Sequence, residues 1–154
     1  MSETTAHSVT VQREALGWWL PADDAVENWV SEAIGGELRG GEMTVRFVGA
    51  EEGASLNETY RGKASATNVL SFAADVPEIP DLAVLGDLVV CAPVVEAEAQ
   101  AQDKALTAHY AHMVVHGTLH LLGFDHETNA DAEQMEGLEC AILSRLGFPN
   151  PYEP

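Results

Sequence analysis

The segment His116-Gly117-Thr118-Leu119-His120-Leu121-Leu122-Gly123-Phe124-Asp125-His126 fixes a helix, its end and a reversal, and the rest of the chain can be placed around it. At ~100° and ~1.5 Å per helical residue, His116 and His120 differ by about 40° in direction and about 6 Å along the axis, so both imidazoles can converge on one ion. Gly123 is placed to end the helix in the left-handed conformation that other residues resist. The reversal it permits would bring His126 back as a third ligand from outside the helix.

Packing several unpaired imidazoles among Val114, Val115, Leu119, Leu121 and Leu122 would leave buried polar groups unsatisfied, a cost that a shared cation removes. A straight row of His112, His116 and His120 is a poorer ligand set. It spreads over about 12 Å, too far for metal bonds of ~2.0–2.1 Å to meet at one centre. His112 is therefore expected to support a ligand or face substrate, and His109 to be exposed without a role. Asp125, beside His126, is a candidate for orienting an imidazole.

Three neutral nitrogen donors suit Zn²⁺, although spacing does not separate it from Ni²⁺, Co²⁺ or Cu²⁺. Catalytic zinc sites keep three protein ligands plus water, whereas structural sites are normally closed by four ligands. One Zn²⁺ with three His ligands and water is the expectation. A cysteine ligand would undo it, but Cys91 and Cys140 stand alone in apolar settings and read as buried, reduced thiols.

The spacing H-x-x-x-H-x-x-G-x-x-H matches the metzincin protease signature, in which a Glu follows the first His and serves as general base. Here that position is Gly117, which can neither polarise water nor return a proton to an amine. A phosphodiester makes a different demand, because negative charge in its transition state can be neutralised by a divalent metal and a guanidinium together. Arg61, in Tyr60-Arg61-Gly62-Lys63, is the candidate guanidinium; a surface salt bridge is its alternative reading.

Outside this block the pattern is α+β. Strands are predicted at Ser8–Arg13, Met43–Val48, Val69–Phe72 and Asp87–Val90. Helices are predicted at Asp23–Leu38, Glu51–Tyr60, from about Val94 to Leu122, and in a last segment whose apolar side is Met135, Leu138, Ile142 and Leu146. The architecture expected is a small mixed β-sheet packed on helices, with the metal site at the end of a long central helix. No repeat or long linker divides the 154 residues, so residues 1–154 read as one domain. No apolar run approaches the ~20 residues of a membrane span, and the N-terminus lacks a secretory pattern, so a cytoplasmic protein with no membrane partner is expected.

The 7 basic and 25 acidic residues give a formal net charge of −18, which argues against broad electrostatic capture of nucleic acid. Screening beyond about 8 Å nevertheless lets a local cationic spot hold one phosphate.

Leu56-Asn57 with Tyr60-Arg61, then Thr67-Asn68-Val69-Leu70-Ser71-Phe72, Leu85-Gly86-Asp87, the His112–His126 block, Met135-Glu136, Glu139 and Asn150-Pro151-Tyr152 resemble, in order and spacing, the YbeY-type endoribonuclease family. The resemblance implies a cytoplasmic, zinc-dependent, single-strand-specific endoribonuclease. Such an enzyme matures ribosomal RNA, notably the 3′ end of the small-subunit RNA, and takes part in ribosome quality control. It implies His116, His120 and His126 as metal ligands and Arg61 as the functional arginine. Implied partners are single-stranded and ribosomal RNA and the small ribosomal subunit or its biogenesis factors. Two other functions fit the residues: a non-catalytic ribosome assembly factor braced by zinc, and a metal hydrolase of another substrate.

Overall fold

The computed structural model describes residues 8–35, 41–62, 66–73, 83–124 and 127–152. The elements run β1 (Ser8–Arg13), α1 (Asp23–Ile34), β2 (Gly41–Val48), α2 (Ala50–Arg61), β3 (Val69–Ala73), β4 (Ala83–Cys91), α3 (Ala92–Ala101), α4 (Leu106–Leu121) and α5 (Asn129–Arg145). The four strands form one mixed sheet in the order β1-β2-β4-β3. β2 pairs in parallel with β1 and β4, while β3 runs antiparallel to β4 along the edge. The expected α+β class with a small mixed sheet is what the chain adopts.

Alternation along the strands gives the sheet two different faces. Met43, Val45, Phe47, Leu88 and Val90 point into the main core, where they meet Val30 and Ile34 of α1 and Tyr110, Val114 and Val115 of α4. The opposite face carries a smaller cluster of Val48, Leu70, Val89 and Cys91, against which Leu56 of α2 packs. Helix α4 is thus the central element: every residue from His109 to Val115 is buried. It packs on β3 and β4 and on α1, α3 and α5.

The long helix expected from Val94 to Leu122 is two helices. α3 stops at Ala101, and α4 begins at Leu106. The turn between them carries no glycine; Asp103 itself takes the left-handed conformation, φ 56°, a strain that Asp tolerates better than most residues. Lys104 N–H closes the turn on the Ala99 carbonyl at 2.8 Å. Because apolar spacing continues across the break, periodicity alone joined the two. α1 is also shorter than expected: Gly35, at φ 62°, caps it, and residues 36–38 lie outside the described residues.

The end of α4 follows the sequence reading. Leu121 is its last residue, and Gly123 adopts φ 104° with its N–H on the His120 carbonyl at 3.0 Å. The chain then enters α5, where the Thr128 side chain accepts from Asp131 N–H at 3.0 Å as an N-cap.

Candidate metal centre and phosphate cleft

His116 and His120 stand one turn apart on the last two turns of α4, with ring centroids 4.7 Å apart. They line a cleft of about 490 Å³ together with Arg61, Thr67, Asn68 and Ser71. Helix α4 contributes the imidazoles, the C-terminus of α2 contributes the guanidinium, and β3 with the loop before it forms the wall between them. The two helical histidines and Arg61, separated by 55 residues or more in sequence, therefore share one cavity. His126 and Asp125 lie outside the described residues.

The environment of Arg61 bears on its two readings. Arg13 is paired with Asp23, Arg46 with Glu52 and Arg145 with Glu32, and Lys104 donates to the Pro151 carbonyl at 2.7 Å. Among the described residues, Arg61 is the cationic side chain that makes neither an ion pair nor a hydrogen bond. In a chain of net charge −18 an unpaired, exposed guanidinium facing a cleft is a candidate anion site, because a guanidinium's planar fork can match two phosphate oxygens.

Gly117 has a packing reason. A Cβ there would lie 2.7 Å from Leu88 Cδ2 and 3.3 Å from Ser71 Oγ, so α4 lies directly on β3 and β4 at this point. Ser71 Oγ fastens the contact by donating to the Gly117 carbonyl at 3.2 Å. A glutamate at this position would be aimed at the sheet. The protease mechanism thus fails on geometry as well as on chemistry.

Behind the cleft is a group to which residue spacing assigned no role. Glu139 of α5 is fully buried. One carboxylate oxygen, Oε2, is hydrogen-bonded to His116 Nδ1, and the other, Oε1, accepts from the Tyr152 hydroxyl and meets His112 Nε2 at 3.3 Å. Tyr152 Oη also lies 3.3 Å from His112 Nε2. Burial alone would raise the Glu139 pKa, but the hydrogen bonds from His112, His116 and Tyr152 overcome it and bring the value down to about 2. The Tyr152 phenol is pushed well above its ordinary range by burial and by the Glu139 carboxylate. His112 stands two turns of α4 from His120 and is in contact with Glu139. Glu139 was legible in one respect: it follows Met135 by four residues and precedes Ile142 by three, placing a carboxylate on the buried stripe of α5.

His109, expected to be exposed, is buried. Its Nε2 is 2.9 Å from Glu98 Oε1 of α3, which the unforeseen turn at Asp103 folds back onto α4. Burial lowers its pKa against the opposing pull of Glu98. Cys91 is buried as expected, whereas Cys140 is only partly so, because it lies beside the C-terminal segment with Sγ 3.3 Å from Asn150 Oδ1.

Two ligand sets share His116. His112, His116 and Glu139 form a group that could hold a metal ion, with one ligand atom from each lying within 4.8 Å of the others. Both histidines of this group are also hydrogen-bonded to Glu139. With Nδ1 engaged by Glu139, His116 would meet a cation in the cleft through Nε2, beside His120. This is the carboxylate–histidine arrangement that fixes tautomer and ring orientation at metal sites. The donors thus fit a divalent ion, and no cysteine belongs to the group.

The family model "Endoribonuclease YbeY" matches residues 19–147. A protein of Stenotrophomonas maltophilia (strain R551-3) named Endoribonuclease YbeY is 56% identical over 137 residues, covering 86% of this chain and 85% of that protein. In fold, the chain is similar to the solution structure of TM1509 from Thermotoga maritima, with a TM-score of 0.60 over 95% of this chain and 99% of that one at 21% identity. The chain belongs to the YbeY endoribonuclease family.

Proposed function

We propose that this protein cleaves single-stranded RNA with one zinc ion held by His116, His120 and His126, acting in the cytoplasm on ribosomal RNA. In this reading it matures the 3′ end of the small-subunit RNA and serves in ribosome quality control. The observation that carries the proposal is the unpaired Arg61 guanidinium opening into the same cleft as His116 and His120. Family membership supports the reaction class.

When bound, the ion supplies a Lewis acid and lowers the pKa of water. Glu139 holds the His116 ring by its Nδ1 and keeps Nε2 as the nitrogen for a ligand. His112 and Tyr152 in turn fix the carboxylate. Arg61 takes two non-bridging oxygens of the scissile phosphate and stabilises the charge that grows on them. Asn68 shapes the cleft wall from a locked position, its amide donating to Glu98 at 3.2 Å and its Oδ1 accepting from Val69 N–H at 2.6 Å. No general base is assigned. Attack by water leaves a linear phosphate and a hydroxyl end, whereas attack by the RNA's own 2′-hydroxyl leaves a cyclic phosphate; analysis of the product ends identifies the route.

The acidic surface gives this site few phosphate contacts, so ribosomal proteins or a biogenesis factor of the small subunit present the strand. Tight binding of naked single-stranded RNA at physiological salt, with a steep salt slope, would contradict that dependence. The test of the function itself is cleavage of a short single-stranded RNA by the metal-loaded protein with and without chelator, alongside circular dichroism. Cleavage that stops on chelation while the fold persists is the expected result. Loss of fold with the metal would instead assign the zinc to bracing a non-catalytic assembly factor, and undiminished cleavage by metal-free protein would end the metal mechanism.

A further inference from the structure

On the other side of edge strand β3 from the Arg61 cleft lies a second groove, of about 500 Å³. Its apolar lining includes Tyr60, Phe72 and Leu56, and its polar lining includes Arg46, Glu52 and Asp87. Tyr60 is 63% exposed and is held edge-to-face against Phe72 with centroids 5.0 Å apart. Phe72 in turn pairs across the strands with Asp87. The groove and the cleft are joined through the chain itself. Tyr60 and Arg61 are consecutive at the end of α2, and Phe72 of the groove lies between Ser71 and Ala73, both of which line the cleft.

The charges of the two cavities differ. In the groove, Arg46 is occupied by Glu52 at 2.8 and 2.5 Å and by Gln12 at 2.9 Å, and Asp87 adds an exposed carboxylate. A phosphate would be repelled there. A nucleobase would not be: it offers a π-face to Tyr60 and, for an amino-bearing base, a donor to Asp87.

We propose that the Tyr60–Phe72 groove is a nucleobase subsite, receiving a base next to the phosphate that Arg61 holds as the strand crosses the edge of the sheet. This rests on the reading of the Arg61 cleft as the place of RNA cleavage. It also explains how a chain of net charge −18 can hold RNA locally, since stacking on a ring contributes affinity without displacing counterions.

The probe is a short single-stranded RNA carrying 2-aminopurine, mixed with the metal-loaded protein. Its fluorescence reports stacking before cleavage, and KM and kcat are then read separately. With Tyr60→Ala, the quench disappears and KM rises roughly ten-fold with kcat little changed, metal content and melting temperature stay as in wild type, and Tyr60→Trp restores the quench. An unchanged KM and quench in Tyr60→Ala would overturn the subsite, as would a fall of about one in the salt slope, the mark of a lost phosphate contact. The quench is independent of turnover, so a wild-type protein that quenches without cleaving would overturn the nuclease reading and leave the groove standing.

Discussion

Among the described residues, helix α4 carries an imidazole–carboxylate pair at His109 with Glu98 and another at His116 with Glu139, and the second borders the cleft that His120 and Arg61 line. At His109 the Glu98 carboxylate is 32% exposed and also accepts from the Asn68 amide. At His116 the carboxylate is fully buried, accepts from three side chains, and stands behind a ring that shares a cavity with His120 and Arg61. The contrast teaches that a histidine–carboxylate contact is by itself a packing solution. In the proposed reading it becomes part of a metal centre where a second imidazole stands beside the ring on the same cavity, as His120 does beside His116.

The strongest way to break the comparison is to remove the rings themselves. His116→Ala is expected to reduce bound metal to background by elemental analysis and to abolish RNA cleavage, whereas His109→Gln keeps both. Arg61→Ala sharpens it next: metal content stays at the wild-type level while kcat falls roughly 100- to 1,000-fold in single-turnover cleavage, the scale of losing one preorganised transition-state contact.

Glu139→Gln tests the supporting carboxylate. Metal affinity, measured by competition with a chelator of known strength, is expected to weaken roughly 10- to 100-fold. Glu98→Gln is the matched control and leaves that affinity unchanged. The smallest effect concerns acid stability. Burial lowers the His109 pKa in the folded state below its ordinary 6.5, so the unfolded chain binds that proton first as pH falls. The stability His109 contributes is full above pH 6.5 and declines below it, towards the lowered folded value. His109→Gln should therefore flatten melting temperature against pH in that window.

Much of this contrast was legible in residue order, and the illegible parts share one cause. The helical histidines, the glycine that stops α4, the alternation of the strands and the absent base at Gly117 are local patterns, and each leaves a signature within a few residues. Glu139 and Tyr152 reach the site only through packing, 23 residues from His116 and 40 from His112 respectively. Their one local signal is a carboxylate on an apolar stripe, which demands donors without naming them. His109 was misplaced for a related reason. Its burial depends on α3 folding back over α4, and the turn that does so is made by Asp103 in a left-handed conformation that no glycine or proline announces. Arg61 was identified as a candidate, but its lack of a carboxylate partner is a tertiary fact in a chain with 25 acids. His126 and Asp125 lie outside the described residues.

In the proposed centre the ion sits in the cleft on the far nitrogen of His116, with Glu139 behind the ring. Anomalous diffraction at the zinc edge from crystals of the metal-loaded protein tests it most directly. One peak is expected at ~2.0–2.1 Å from His116 Nε2 and His120, facing Arg61. A peak between His116 Nδ1, His112 and the Glu139 carboxylate would contradict it.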